Sequence, residues 1–125
     1  MQVLLSDSLQ EVRTYLKTRA PIICDIETTS LSVGKGRILC IAFAAYDQDD
    51  VLVWWPKNLS EIAKLRLPRA VFHNAHFDQR WLRSYGATVR TVWDTMLMAH
   101  LLDENHPIGL KPLGMRLLGY EDWSE

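Results

Sequence analysis

What most restricts this chain is the order in which its hydrophobic pattern changes. Pro21 to Ile26, Arg37 to Tyr46 and Val51 to Trp55 are three apolar runs of strand length. Short turn-rich segments join them, Ser30 to Gly36 with two glycines and Asp47 to Asp50 with three acids. Connections that short allow only antiparallel neighbours. The pattern then alternates: Leu59 to Leu67 reads as helix, Ala70 to His73 as strand, and Ala75 to Tyr85 as a helix stopped at Gly86. Thr91 to Trp93 reads as a brief strand, Asp94 as the N-cap of a helix reaching about Asp103, and Leu110 to Leu118 as a last helix closed by Gly119. Ahead of all this, Ser8-Leu9-Gln10-Glu11 has capping-box spacing, so a first helix starts there and breaks at Ala20-Pro21.

Helical crossovers place their strands parallel to the first strand and beyond it. Three antiparallel strands followed by αβα units is the order of a ribonuclease-H-like mixed α/β sheet. With 125 residues, one such domain over 1–125 fills the chain. No apolar run approaches the length of a membrane span, and the N-terminus lacks the pattern of a signal peptide. Cys24 and Cys40 lie inside apolar runs and suggest no disulfide framework. A soluble, cytoplasmic protein with no membrane partner is expected. A formal net charge of −1 does not by itself suggest a nucleic-acid partner.

The chemistry is carried by acids. Asp25 and Glu27 close the first strand, and residues two apart on a strand project to the same side, about 7 Å apart along the chain. Ile22, Cys24 and Ile26 face the other way. Two neighbouring carboxylates at the end of an apolar strand repel each other and lose hydration, which a divalent cation between them relieves. Alone, an Asp-x-Glu at a strand end is as readily a pair of solvated acids. Asn74 stands where its side chain can cap the next helix, and Asp78 falls one turn inside that helix. If the fourth strand lies beside the first, Asp78 approaches Asp25 and Glu27. Three carboxylates there make a hard-oxygen site suited to Mg²⁺ or Mn²⁺.

Asp25-Ile26-Glu27-Thr28-Thr29-Ser30-Leu31 resembles the first motif of the DEDD 3′→5′ exonucleases. His73-Asn74-Ala75-His76-Phe77-Asp78 resembles their second motif, in the Asn-x-x-x-Asp form of family A DNA polymerases. Asp94-Thr95-Met96-Leu97 with Ala99 to Asn105, then Gly109-Leu110-Lys111-Pro112-Leu113 with Leu118-Gly119, are similar to the next segments of that family. The resemblance implies that Asp25, Glu27 and Asp78 are catalytic and hold two divalent ions, Mg or Mn, with Asp25 bridging them. It further implies that Thr28 seats the terminal nucleotide, Leu31 wedges between the last two bases, and Asn74 and Phe77 line the same groove. The substrate implied is a single-stranded DNA 3′ end, trimmed in proofreading, with a polymerase domain in the same longer chain. An RNA exonuclease of the same superfamily, or an inactive nucleic-acid-binding remnant, are the alternatives. The family's fourth carboxylate sits in a Tyr-x-x-x-Asp motif further on; Tyr120 plus four is Ser124, so these residues are expected to be the N-terminal portion of such a domain.

Other signals carry less. His73 and His76 with Cys24 and Cys40 match no zinc spacing, and buried structural cysteines are expected. His100 and His106 read as solvated or capping residues at a helix end. Trp54 and Trp55 read as core at a sheet edge, although one of them must face outward on a regular strand. Arg80 and Arg83 suit a solvated helix face as well as a phosphate.

Overall fold

The computed structural model describes residues 1–102 and 107–119. Its strands are β1 (Val3–Ser6), β2 (Ile22–Thr28), β3 (Ile38–Ala45), β4 (Val51–Trp54), β5 (Arg66–Phe72) and β6 (Thr88–Asp94). Its α-helices are α1 (Leu9–Tyr15), α2 (Ala75–Ser84), α3 (Thr95–Leu102) and α4 (Leu110–Leu118), and a 3-10 helix covers Leu59–Lys64. The six strands form one sheet in the order β1-β4-β3-β2-β5-β6. β2, β3 and β4 are the antiparallel meander, while β5 and β6 add in parallel beyond β2. This is the ribonuclease-H-like mixed α/β arrangement that the element order implies.

The β2 sequence places its alternation as expected: Ile22, Cys24 and Ile26 are buried, and Asp25 and Glu27 are exposed. Cys24 and Cys40 are free and buried, Cys24 on the face opposite Asp25 and Cys40 across the ladder from Glu27. Ile41, Phe43, Leu52, Trp54, Trp81 and Leu82 fill the core, each at 3% exposure or less. Burying side chains of this size stabilises by roughly 1.5–3 kcal/mol each. The Tyr15 hydroxyl ties α1 to the β3–β4 turn, donating to the Asp50 carbonyl (2.6 Å) and accepting from Ala45 N–H (2.9 Å). Trp54 is core as expected, but Trp55, just past β4, is half exposed rather than packed.

Four features differ from expectation. β1 has no signature in the sequence: four residues are too few to show a period, and the strand exists because β4 offers it a parallel ladder, Val3 opposite Val51 through Ser6 opposite Trp54. The helix expected over Leu59 to Leu67 is a 3-10 helix that stops at Lys64. Leu59, Ile62 and Leu65 recur every three residues, a spacing that makes a continuous apolar stripe only when side chains eclipse at i and i+3. β5 accordingly starts four residues earlier than expected, at Arg66. It passes through Pro68 with a register shift between Leu67 and Ala70, which absorbs the missing N–H. β6 likewise runs from Thr88 rather than Thr91. The expected helix end at Asp103, the Asn105 end of the third resembling segment, His106, and Tyr120 to Ser124 lie outside the described residues. No helix among the described residues is long and apolar enough to cross a membrane.

Candidate active site

The acids meet where two parallel strands part. The ladder between β2 and β5 covers only Ile22 with Ala70 and Ile23 with Val71. Beyond it the strands diverge toward their C-terminal ends, and Asp25 and Glu27 project beside the opening. β2 is also where the chain order reverses, with β3 on one side and β5 on the other. The C-terminal side of such a switch point is where α/β sheets bind ligands. On the β3 side, the pairing moves from Glu27–Cys40 to Thr28–Ile38, leaving Leu39 as an extra residue. A bulge of this kind bends the strand end and re-aims the loop beyond it.

Asp78 arrives from α2. Ala75, Asp78, Trp81 and Leu82 share the inward stripe of that helix, so its one carboxylate lies among apolar neighbours and is only 5% exposed. Its Oδ2 is buried without a hydrogen-bond partner among the described residues. Burial, then the charges of Asp25 and Glu27, push its pKa up to about 7. Partial burial also raises Asp25, offset in part by the Ile26 N–H and by His73. Asp25, Glu27 and Asp78 therefore lie near enough to repel one another. As they stand, among the described residues no three His, Cys, Asp or Glu groups are gathered closely enough to enclose an ion. The donor chemistry nonetheless fits a divalent cation. A buried carboxylate oxygen with no proton donor, opposite two further carboxylates, is relieved only by a proton or a hard metal.

The turn from β5 into α2 has a different support from the one expected. Asn74 occupies the N-cap position, but its side chain makes no cap hydrogen bond. It is left-handed, φ 68° and ψ 62°, the only positive-φ non-glycine among the described residues. Asn tolerates that conformation better than most residues. The cap is supplied from across the sheet by Asp94, at the end of β6. Its Oδ1 accepts from the N–H of Asn74 (3.0 Å) and of Met96 (3.0 Å), and its Oδ2 from Ala75 N–H (2.8 Å). One carboxylate thus caps α2 and α3 together. Burial raises the Asp94 pKa, but the backbone donors outweigh it and hold the carboxyl below the ordinary value. The sequence marks Asp94 as the cap of α3 and gives no sign of its hold on α2, because nothing local shows that β6 pairs with β5. His73 has a larger part than its sequence context suggests. Its Nδ1 meets Thr95 Oγ1 at 2.9 Å, and its Nε2 is buried without a partner among the described residues.

The expected groove residues flank the acids. Phe77 is half-buried on α2 with its ring 6.3 Å from that of Trp81, and Asn74 is exposed. Thr28 donates its hydroxyl to the Ser30 carbonyl (2.7 Å), which starts the loop that carries Leu31, 86% exposed. Thr29 closes that loop: its N–H donates to the Arg37 carbonyl (2.9 Å) and its Oγ1 accepts from Arg37 N–H (2.9 Å). Gly36 makes this approach possible, since a Cβ there would lie 2.5 Å from Thr29 Oγ1. Arg80 and Arg83 are both exposed on α2, and Arg83 donates to the Val89 carbonyl (2.8 Å).

Solved structures share this fold. Brucella melitensis NrnC with bound Mg²⁺ superposes with a TM-score of 0.71 at 19% identity, covering 100% of this chain and 66% of that one. NrnC bound to pGG gives 0.72 at 20%, covering 100% and 65%. Trypanosoma brucei RNase D gives 0.74 at 19%, covering 99% and 49%. The chain thus spans two thirds or less of the length of these structures, and identities this low establish a shared fold. No curated protein matches the chain in sequence. The model of the 3′-5′ exonuclease family matches residues 2–123, which takes in the divergent strands, the buried Asp78 and the Asp94 clamp alike. The chain belongs to the 3′-5′ exonuclease family.

Proposed function

We propose that this chain supplies the catalytic carboxylates of a metal-dependent exonuclease that removes nucleotides from single-stranded 3′ ends. The observation that carries the reading is Asp78. A carboxylate buried on the apolar stripe of a helix, with its Oδ2 unpartnered among the described residues, repelled by Asp25 and Glu27 and only partly compensated by the Ile26 N–H, has a structural cost and no structural benefit. Asp25, Glu27 and Asp78 would hold two divalent ions, Mg or Mn. Such ions supply an activated water and stabilise the departing oxygen. In the reaction, a water oxygen bonds to the last phosphorus and the bond from phosphorus to the 3′ oxygen breaks. The shortened strand keeps a 3′ hydroxyl, and a nucleoside 5′-monophosphate leaves.

In this reading Thr28, Leu31, Asn74 and Phe77 hold the terminal nucleotides. Leu31 has the exposure a base wedge needs, and Phe77 offers a ring face for stacking. Asp94 and His73 act as positioning residues by fixing the start of α2. Single-stranded DNA, trimmed in proofreading beside a polymerase domain, is the substrate that the motif resemblance favours. A second reading, short RNA, is favoured by NrnC bound to pGG and by RNase D among the similar folds.

The test tracks 5′-labelled DNA and RNA oligonucleotides of matched sequence incubated with the protein in Mg²⁺ or Mn²⁺. Stepwise shortening from the 3′ end that disappears in Asp25→Ala and Asp78→Asn is expected. Cleavage that persists in Asp25→Ala refutes the assignment, and the DNA-to-RNA rate ratio selects between the two substrates.

A further inference from the structure

A second charged feature lies at the opposite end of the sheet from the acids. Two adjoining depressions, about 310 and 280 Å³, share Leu16 and Arg66 and form one trough. Arg13, Arg19, Lys64, Arg66 and Arg69 line it, and no carboxylate does. All five are exposed. Among the described residues the one ion pair is Lys57 with Asp7, so none of the five is neutralised by an acid there. Two arginines are held in place by backbone: Arg66 donates to the Ala63 and Leu65 carbonyls (3.0 and 2.9 Å), and Arg69 to the Arg19 carbonyl. Each guanidinium carries five N–H donors in a fixed fork, so donors remain for a ligand. Two acids flank the trough without lining it: Asp47 in the β3–β4 turn accepts from Thr18 Oγ1 (2.8 Å), and Glu61 stands one turn before Lys64 on the 3-10 helix.

We infer that this trough binds the phosphate backbone of the substrate strand several nucleotides away from the 3′ end being cut. The inference rests on the reading of the chain as a single-strand exonuclease, and it concerns a surface outside the cutting site. Ile22, the first residue of β2, lines the trough, whereas Asp25 and Glu27 stand toward the other end of that strand. Asp25 and Glu27 are three and five residues beyond Ile22 on β2, which at about 3.3 Å each puts them about 10 and 17 Å from that edge of the trough. Single-strand binding sites of about 4–16 nucleotides cover such spans. A row of unneutralised arginines with one lysine is the electrostatic form that phosphates select, independent of base sequence.

The test measures binding by fluorescence anisotropy in EDTA, where no cleavage occurs. The probes are a trinucleotide, a single strand of about 20 nucleotides, and phosphatidylglycerol vesicles. The triple variant R13Q/R19Q/K64Q removes three charges whose side chains make no hydrogen bond among the described residues, and R13K/R19K/K64R keeps them. Expected is a loss of about tenfold or more in affinity for the long strand with R13Q/R19Q/K64Q. Its salt slope should flatten by about 2, at about 0.7 per phosphate contact. Trinucleotide binding and melting temperature should stay unchanged, and the charge-keeping variant should restore the affinity. An unchanged long-strand affinity and slope overturns the proposal, as does an equal loss for the trinucleotide. Loss of vesicle binding alone also overturns it, assigning the trough to a lipid surface. If Asp25→Ala leaves cleavage intact, the active-site reading fails while this binding result stands on its own.

Discussion

Replacing Asp78 by Asn should make the metal-free protein more stable while removing its activity. The carboxyl is raised from 3.8 to about 7 by burial and by the charges of Asp25 and Glu27. A shift of about three units corresponds to about 4 kcal/mol if retained in full. Solvent at the sheet edge screens part of it, leaving about 2–3 kcal/mol. The sign comes from proton binding. Between about pH 4 and pH 7 the folded state keeps a proton on Asp78 that the unfolded chain has released, so wild-type stability falls as pH rises through that window. Asn has the same shape and no charge to release, so its curve lacks that descent.

The assay is urea unfolding in EDTA at a series of pH values. At pH 8 Asp78→Asn should exceed the wild type by about 2–3 kcal/mol, roughly 10 °C in melting temperature. At pH 4 the two should coincide. Mg²⁺ should then close that gap, since a ligand bound only by the folded wild type adds about 2.7 kcal/mol at one hundred times its dissociation constant. Equal stability of the two proteins at pH 8, with parallel pH profiles, would refute the claim that the carboxylate is held at an energetic cost. A variant less stable than the wild type at pH 8 would do so more strongly.

Asp94→Ala leaves three backbone N–H groups without their acceptor and should cost about 2–3 kcal/mol at pH 7. Because the Asp94 carboxyl is held below its ordinary value, its contribution is full above about pH 4 and fades as pH falls through the folded value, so unfolding at about pH 3 should show a smaller deficit. At Asn74, Gly should be near neutral, whereas Val should cost about 1–2 kcal/mol because the backbone is left-handed there; chemical unfolding of the pair separates backbone strain from any side-chain role. Gly36→Ala forces a Cβ to 2.5 Å from Thr29 Oγ1 and 2.7 Å from Ser30 Cβ, so the Leu31 loop must shift. A stability loss of about 1–3 kcal/mol and a raised KM for oligonucleotides, with kcat little changed, are expected from melting and steady-state cleavage.

Sequence alone reveals whatever depends on one segment at a time. The alternation through Ile22, Cys24 and Ile26 fixes which side Asp25 and Glu27 take, because strand geometry allows no other outcome once the strand exists. The 75, 78, 81, 82 spacing similarly puts Asp78 on the stripe that Trp81 and Leu82 bury. Features set by a partner element are not legible. β1 exists through its pairing with β4, and the start of β5 depends on a 3-10 helix whose three-residue period mimics a longer helix. The clearest case is Asp94. Its local sequence says that it caps α3, and that is correct. Its second duty arises because β6 lies beside β5, which brings the two strand ends and both helices after them to one carboxylate. Asn74 shows the converse: its side chain suits a cap, but the turn needs a left-handed residue, and the cap is delivered from elsewhere.

The formal net charge of −1 argues against a phosphate ligand only if the charges are spread evenly. They are not. Asp25, Glu27, Asp78 and Asp94 gather at the C-terminal ends of β2, β5 and the strand beside them, while five unneutralised cations line the trough at the N-terminal ends. Along β2 the trough's Ile22 is about 10 and 17 Å from Asp25 and Glu27, and charges in about 0.1 M salt are screened over about 10 Å. A phosphate in the trough therefore feels the acids only weakly, and the sum over the chain describes neither environment. At the acidic end a polyanion is repelled until divalent ions invert the local sign; at the basic end it is attracted with no ion present. Metal dependence should accordingly belong to cutting and to the grip on the last nucleotides, and salt dependence to the grip on the rest of the strand.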